Sequence, residues 1–286
     1  NQQAHPMTHE LTSLSTLRET IARWRAAGDT IALVPTMGAL HAGHLALVKA
    51  AQAQATRVVV SIFVNPTQFG PNEDLSRYPR PLANDLALLN SVGADAAWLP
   101  SVETMYPQGF ATKIEVSGVS EGLDGAFRPG HFSGVATVVT KLLLQVMPDV
   151  ALFGEKDYQQ LCVIKRLVGD LCINTRICGV PTVREADGLA LSSRNQYLSE
   201  KERALAPTVH GVLQWAAAQL AQGAVVEAVL EAAQARLLSA GLTNVDYLAL
   251  RAEDTLEPCA QYVKPARLLV AAWLGRTRLI DNIMVE

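Results

Sequence analysis

Apolar residues gather into short runs separated by turn-forming residues over the first two thirds of the chain. Residues 31–34, 57–65, 94–99, 149–153 and 175–180 are rich in aliphatic and β-branched side chains, and 57–65 shows no polar alternation. This is the pattern of parallel strands buried on both faces. Residues 14–27, about 43–55, 82–92, 135–146 and a segment from Tyr158 onward predict helices between them, with Gly28-Asp29 stopping the first. Residues 112–116 alternate and predict an edge or antiparallel strand. Four glycines crowd residues 122–134, which predicts a mobile loop or flap able to close over a site and exclude water. The texture changes from Glu200. Residues 201–222 and 225–240 carry Ala/Leu-rich helical patterns, with Pro207 starting or kinking the first. Three strands of a small antiparallel sheet follow at 245–251, 267–274 and 277–282. The expected architecture is α/β: a doubly wound parallel sheet in residues 1–182, then a smaller C-terminal α+β domain in 183–286, with the boundary near Pro181 to Gly188.

Chemistry concentrates where the strands end. The first run leads into Pro35-Thr36-Met37-Gly38-Ala39-Leu40-His41-Ala42-Gly43-His44 and then a helix. Strand, glycine-containing loop and helix together aim backbone N–H groups and the positive end of a helix at an anion, and Gly38 and Gly43 would admit a phosphate closely. His41 and His44, three residues apart, project to one side of an opening helical turn. Two imidazoles there can donate to oxygens that gain charge during phosphoryl or nucleotidyl transfer. A zinc reading fails to find a third Cys, His or acidic ligand at a recognised spacing.

The second run ends in Asn65-Pro66-Thr67-Gln68-Phe69-Gly70, on the same sheet edge. Ligands of open α/β sheets bind outside the carboxyl ends of the strands, so Gln68 can reach a small ligand beside the nucleotide; judged alone it reads equally well as a polar turn residue. Arg77 and Arg80 lie in a polar stretch and read as solvated connection. The run at 149–153 ends in Gly154-Glu155-Lys156-Asp157 before a helix. Lys156 can reach a phosphate, Asp157 a ribose hydroxyl or Mg²⁺, and Gln160, one turn on, the same pocket; taken singly, each is an ordinary surface group at a helix start, where Asp is favoured as a cap. Leu191-Ser192-Ser193-Arg194 follows the flexible Asp187-Gly188 and offers two hydroxyls and a guanidinium for a phosphate clamp, or, taken alone, a Ser-rich linker with one Arg.

The 286 residues are 49% hydrophobic and 18% charged, with a formal net charge of -3 and no block of Lys or Arg. That balance leaves no electrostatic footprint for a nucleic-acid backbone. No apolar run reaches the ~18 residues of a membrane span. Four scattered cysteines without a Cys-x-x-Cys pair suit thiols in a reducing cytoplasm. The polar start lacks an apolar signal core, and Met7 reads as the native first residue, with 1–6 added before it.

The His loop resembles the His-x-Gly-His signature of nucleotidyltransferase-like Rossmann enzymes, and the fuller Pro-Thr-Met-Gly-Ala-Leu-His-x-Gly-His string is similar to the pantothenate synthetase (pantoate–β-alanine ligase) family. Phe63-Val64-Asn65-Pro66-Thr67-Gln68-Phe69, Arg128-Pro129-Gly130-His131-Phe132, Gly154-Glu155-Lys156-Asp157-Tyr158-Gln159-Gln160 and Arg184-Glu185-Ala186-Asp187-Gly188-Leu189-Ala190 running into Ser192-Ser193-Arg194-Asn195 carry the likeness across nearly the whole chain. Leu191 stands where many relatives have Met, a swap of similar volume. The resemblance implies a Rossmann-like sheet with a C-terminal lid, ATP as co-substrate with Mg²⁺, and a pantoyl-adenylate intermediate. It implies ATP contacts from Pro35 to His44, from Gly154 to Asp157, at Val183 and from Leu191 to Arg194. It implies His44 as the leading catalytic donor, with His41, Lys156, Ser192, Ser193 and Arg194 beside it, and Gln68 and Gln160 as ligands of pantoate. A homodimer is implied as well. Two rival readings stand beside it: another adenylyl or cytidylyl transferase, which shares the loop, and a non-catalytic ATP-binding regulator.

Overall fold

The computed structural model describes residues 6–286. The expectation about the native start therefore falls largely outside the described residues. In chain order the elements are β1 (His9–Leu11), α1 (Leu14–Ala26), β2 (Ile31–Thr36), α2 (Ala42–Gln52), β3 (Arg57–Ile62), α3 (Leu82–Val92), β4 (Ala96–Trp98), α4 (Val102–Met105), α5 (Asp124–Phe127), α6 (His131–Val146), β5 (Val150–Gly154), α7 (Tyr158–Asp170), β6 (Arg176–Val180), α8 (Glu200–Leu205), α9 (Thr208–Ala221), α10 (Val226–Ala240), β7 (Asn244–Ala252), β8 (Ala266–Leu274) and β9 (Thr277–Val285).

The chain divides into two compact units. The first comprises residues up to Val116, Arg128–Glu155 and Val163–Pro181; the second comprises Ser117–Phe127, Lys156–Cys162 and Thr182–Glu286. The C-terminal part thus begins at Thr182 and also takes in two segments, 117–127 and 156–162, that the sequence places within the first 182 residues.

The first unit is built on six strands in the order β1-β4-β3-β2-β5-β6, every neighbouring pair parallel. The chain leaves the central β2 to one side for β3 and β4, then returns to the other side for β5 and β6, so strand order reverses between β2 and β5. That reversal is where doubly wound sheets open a ligand crevice. The β2–β5 ladder pairs Ala32 with Val150 and Leu33 with Ala151, stopping short of both carboxyl ends. Val34, Val58, Val60, Leu89 and Leu152 lie in the core on one side of these strands, and Trp98 is fully buried, donating from Nε1 to Gln145 Oε1 at 3.0 Å.

Three expectations change here. β1 goes unread in the sequence because it is three residues long and carries His9 and Glu10; its pairing with β4 makes it a strand. Residues 112–116 form no strand; the Ile114 amide is taken by the Thr137 hydroxyl at 3.0 Å rather than by a ladder. The glycine-rich 122–134 is no open flap. It contains α5 and the start of α6, and Asp124, His131 and Phe132 are buried. Asp124 accepts from Tyr247 at 2.9 Å and from Arg278 at 2.7 Å, so a charged anchor replaces the freedom that glycine content alone implies.

In the second unit β7-β8-β9 form an antiparallel sheet packed with α9 and α10 around Leu213, Ala216, Leu220, Ala233, Leu237 and Leu268. The single helical pattern at 201–222 is two helices, α8 and α9, because Pro207 cannot continue the first and instead occupies the N-cap of the second.

Candidate functional site

The loop after β2 is held by its own side chains and by one buried acid. Thr36 Oγ1 donates to the Ser61 carbonyl at 2.8 Å and accepts from the Gly38 amide at 3.2 Å. Gly38 sits at φ +80°, where a Cβ would meet Asp85 Oδ2 at 3.0 Å, so the turn needs glycine. Asp85, buried on α3, takes the Ala39 amide at 2.9 Å and the Leu40 amide at 2.8 Å. The amides expected to cradle a phosphate are therefore engaged within the protein at Gly38, Ala39 and Leu40. Pro35 and Met37 flank this turn half-buried, Gly43 is half-buried and Ala42 is exposed.

The histidines finish the loop by capping α2. His41 Nδ1 accepts from the Gly43 amide at 3.1 Å, and His44 Nδ1 accepts from the His41 amide at 3.1 Å. This is a capping box made of imidazoles. A backbone N–H can only donate, so both Nδ1 atoms are acceptors and both rings, when neutral, carry their proton on Nε2. The rings stand 4.0 Å apart between centroids, tilted by 42°. The edge of each neutral ring left with a proton to donate is Nε2–H.

Gln68 is oriented rather than loose. It closes a short 3₁₀ turn, Pro66–Gln68. Asn65, buried at 1% exposure, donates from Nδ2 to Gln68 Oε1 at 3.0 Å and to the Gly134 carbonyl at 3.2 Å. Asn65 Oδ1 in turn accepts from Tyr106 at 2.6 Å and from Thr67 Oγ1 at 2.9 Å. With its oxygen occupied, Gln68 offers the amide NH₂ as a donor, suited to a hydroxyl or carboxylate. His131 Nδ1 lies 2.9 Å from the Gln68 carbonyl, and Arg128 grips Glu73 with two bonds, at 3.0 and 2.7 Å. Burial opposes ionisation of Glu73, but the Arg128 guanidinium, helped by the Gly70 backbone and His131, holds the carboxyl below its ordinary pKa.

The remaining predicted residues lie after β5 and beyond β6. Gly154 ends β5 and Glu155–Asp157 form a 3₁₀ turn. Glu155, Lys156, Asp157 and Gln160 are half-buried, and the Lys156 carbonyl accepts from Asn282 Nδ2 at 2.9 Å. Val183 and Leu191 face each other in a hairpin, the Leu191 amide donating to the Val183 carbonyl at 3.0 Å. Ser192 caps the 3₁₀ turn Ser193–Tyr197 by accepting from the Arg194 amide at 3.2 Å. Lys156, Asp157, Gln160, Val183 and 191–194 belong to the second unit, whereas the His loop, Gln68, Gly154 and Glu155 belong to the first. Among the described residues no three His, Cys, Asp or Glu side chains gather as a metal site. Sequence reading gave no role to Asp85 and Tyr106, and quoted Asn65 and His131 only as members of longer strings. Asp85 had one visible signal, an acid four residues before Leu89 on the buried stripe of α3.

Fold and site together define a class: a Rossmann-like α/β protein with a His-x-Gly-His turn leaving the central strand beside the point where strand order reverses. Similarity to known proteins narrows it. The family model for pantoate-beta-alanine ligase matches residues 9–284. A pantothenate synthetase of Rhizorhabdus wittichii is 59% identical over 274 residues, 96% of this chain and 97% of the relative. One from Paramagnetospirillum magneticum is 56% identical over 278 residues, covering 97% and 98%. The crystal structure of pantothenate synthetase from Thermus thermophilus superposes with a TM-score of 0.92 at 47% identity, covering 97% of this chain and 99% of that one. The Francisella tularensis pantoate-beta-alanine ligase, crystallised with beta-gamma ATP and beta-alanine, gives 0.81 at 36% identity and 97% coverage of each chain. The chain belongs to the pantoate–β-alanine ligase family, enzymes of pantothenate biosynthesis that join an acid to an amine.

Proposed function

We propose that the ligase works through pantoyl adenylate, with ATP as co-substrate. The carboxylate of (R)-pantoate attacks the α-phosphorus, pyrophosphate leaves, and the β-alanine amine then attacks the acyl carbon, releasing AMP and pantothenate. The observation that carries this reading is the pair of amide-to-Nδ1 bonds on the His pair. Nδ1 of each ring is committed to a backbone amide, which makes Nε2–H of His41 and His44 the donor for an oxygen that gains charge as the phosphorus becomes pentavalent. His44 is the leading catalytic donor. Lys156, Ser192, Ser193 and Arg194 supply the positive and hydroxyl groups for the leaving pyrophosphate.

ATP contacts run from Pro35 to His44, from Gly154 to Asp157, and through Val183 and Leu191 to Arg194. Gln68 and Gln160 hold the hydroxyl and carboxylate of pantoate. A neutral amide orients a carboxylate without quenching it as a tight ion pair would, and the Asn65–Gln68 bond supports that role at Gln68. Mg²⁺ accompanies ATP on phosphate oxygens and water, with Asp157 able to add a protein carboxylate. Positioning supplies most of the second half-reaction. A homodimer working in the cytoplasm completes the reading.

Isotope exchange between pyrophosphate and ATP tests it. Exchange is expected with pantoate present and β-alanine omitted, and at background without pantoate. Exchange that requires a phosphorylated acceptor instead would favour a nucleotidyltransferase of another kind.

A further inference from the structure

β9 breaks its own pattern in one place. Along the strand, burial alternates from Thr277 to Ile280, and then two adjacent polar residues, Asp281 and Asn282, are both buried, at 5% and 4% exposure. Successive strand residues point to opposite faces, so this dipeptide reaches both sides of the sheet at once.

On one side, Asp281 takes both terminal nitrogens of Arg184, at 2.7 and 2.8 Å. Arg184 also donates to the Gly188 carbonyl at 3.1 Å, closing the hairpin whose return strand leads into Leu191 and Ser192-Ser193-Arg194. A Cβ on Gly188 would come within 2.8 Å of His210, so the hairpin is clamped against α9 as well as against Asp281. On the other side, Asn282 Oδ1 accepts from Arg267 at 3.0 Å and its Nδ2 donates to the Lys156 carbonyl at 2.9 Å. Arg267 is fixed by Glu253 at 2.9 Å and by stacking over Tyr158, 4.0 Å from the ring centroid. The two sides are tied by the Asn282 backbone, whose amide donates to Asp281 at 2.7 Å and whose carbonyl accepts from Arg184 at 3.4 Å. All these groups belong to the second unit.

We propose that Asp281 and Asn282 are positioning residues for adenylation: one dipeptide sets the spacing between the Lys156 turn and the Arg184 hairpin that carries Ser192, Ser193 and Arg194. The inference rests on the reading that Lys156 and Arg194 hold the triphosphate. A leaving pyrophosphate spans several ångströms, and a shift of about 1 Å in one of its anchors can cost ~10²-fold in rate. Two anchors on separate loops need a common reference, and β9 provides it through short, buried, oppositely directed bonds.

The test is a double-mutant cycle read in pantoate-dependent pyrophosphate exchange. Asn282→Asp is isosteric, keeps the acceptor for Arg267, and loses the donor to the Lys156 carbonyl. It is expected to lower kcat of exchange on the order of 10²-fold with KM for pantoate nearly unchanged. In a Lys156→Ala background the same substitution is expected to change kcat by less than about twofold, because a residue that acts through Lys156 has nothing left to act on. Multiplicative losses with parallel rises in every KM overturn the proposal and leave Asn282 as a structural residue. Should Asn282→Asp not fold, Asp281→Asn against Arg194→Ala gives the same decision. A Lys156→Ala enzyme with unimpaired exchange sinks the phosphate-site reading and this inference together; an impaired one with additive losses sinks the inference alone.

Discussion

His44 has two nitrogens with two duties. Nδ1 closes the capping box on α2, and Nε2 is the donor assigned to catalysis. A His44→Asn substitution separates them, since an Asn oxygen can accept the same amide but offers no imidazole N–H at the far edge. Thermal unfolding should stay within about 0.5 kcal/mol of the parent, because one cap replaces another, while exchange should fall by ~10²-fold or more. A large loss of stability with the rate intact would reverse the two assignments. The His pair is legible in the sequence because its chemistry is written in a fixed local spacing. Asp85 and Tyr106 are not, because each acts on a loop that is remote in the chain, and a buried Asp on an apolar helix stripe carries no motif; Asn65 lies in the Gln68 loop itself, but its burial and its bond to the distant Gly134 carbonyl are set by the fold. The engagement of the loop amides is hidden for the same reason: Asp85, 45 residues on from Leu40, takes them up.

Among elements, α6 and the Gln68 turn depend on one glycine. A Cβ at Gly134 would lie 2.5 Å from the Thr67 carbonyl and 2.7 Å from the Gln68 amide, both backbone atoms that cannot swing aside. Gly134→Ala should therefore cost about 1–3 kcal/mol and raise KM for pantoate more than KM for ATP; equal rises would separate Gln68 from the pantoate site. α9 makes a second prediction. The pKa of His210 is depressed below the ordinary histidine value of 6.5, first by burial and then by Arg184, with Asp281 opposing. A depressed histidine stays neutral in the folded chain while the unfolded chain takes up a proton, so its contribution to stability is present above pH 6.5 and is lost as pH falls. Chemical denaturation from about pH 7.5 down to about 5 should show a shallower decline in His210→Gln than in the parent; identical slopes would remove His210 from the acid response. Strands with buried β-branched runs are readable as such. The fate of 122–134 is not, because glycine content reports backbone freedom and says nothing of a distant Arg278 that anchors Asp124.

For the whole molecule, the succession of the main strands and helices along the chain, β1 apart, and the three C-terminal strands follow from hydrophobic period and turn residues, whereas the strand order β1-β4-β3-β2-β5-β6 appears only in the structure. The membership of 117–127 and 156–162 in the second unit does not, since it rests on pairings such as Asp124 with Arg278 and Lys156 with Asn282, more than a hundred residues apart. Family membership settles the substrates joined, and the His loop and the loops bearing Lys156 and Arg194 argue for the route between them. That route leaves an atomic trace. If pantoate labelled with ¹⁸O in both carboxylate oxygens is converted with ATP and β-alanine, attack of the carboxylate on the α-phosphorus followed by cleavage of the acyl C–O bond must leave one labelled oxygen in AMP. Mass spectrometry of the products should find one ¹⁸O per AMP and none in pyrophosphate; label in inorganic phosphate with ADP as the nucleotide product, or unlabelled AMP, would contradict the adenylate and the account built on it.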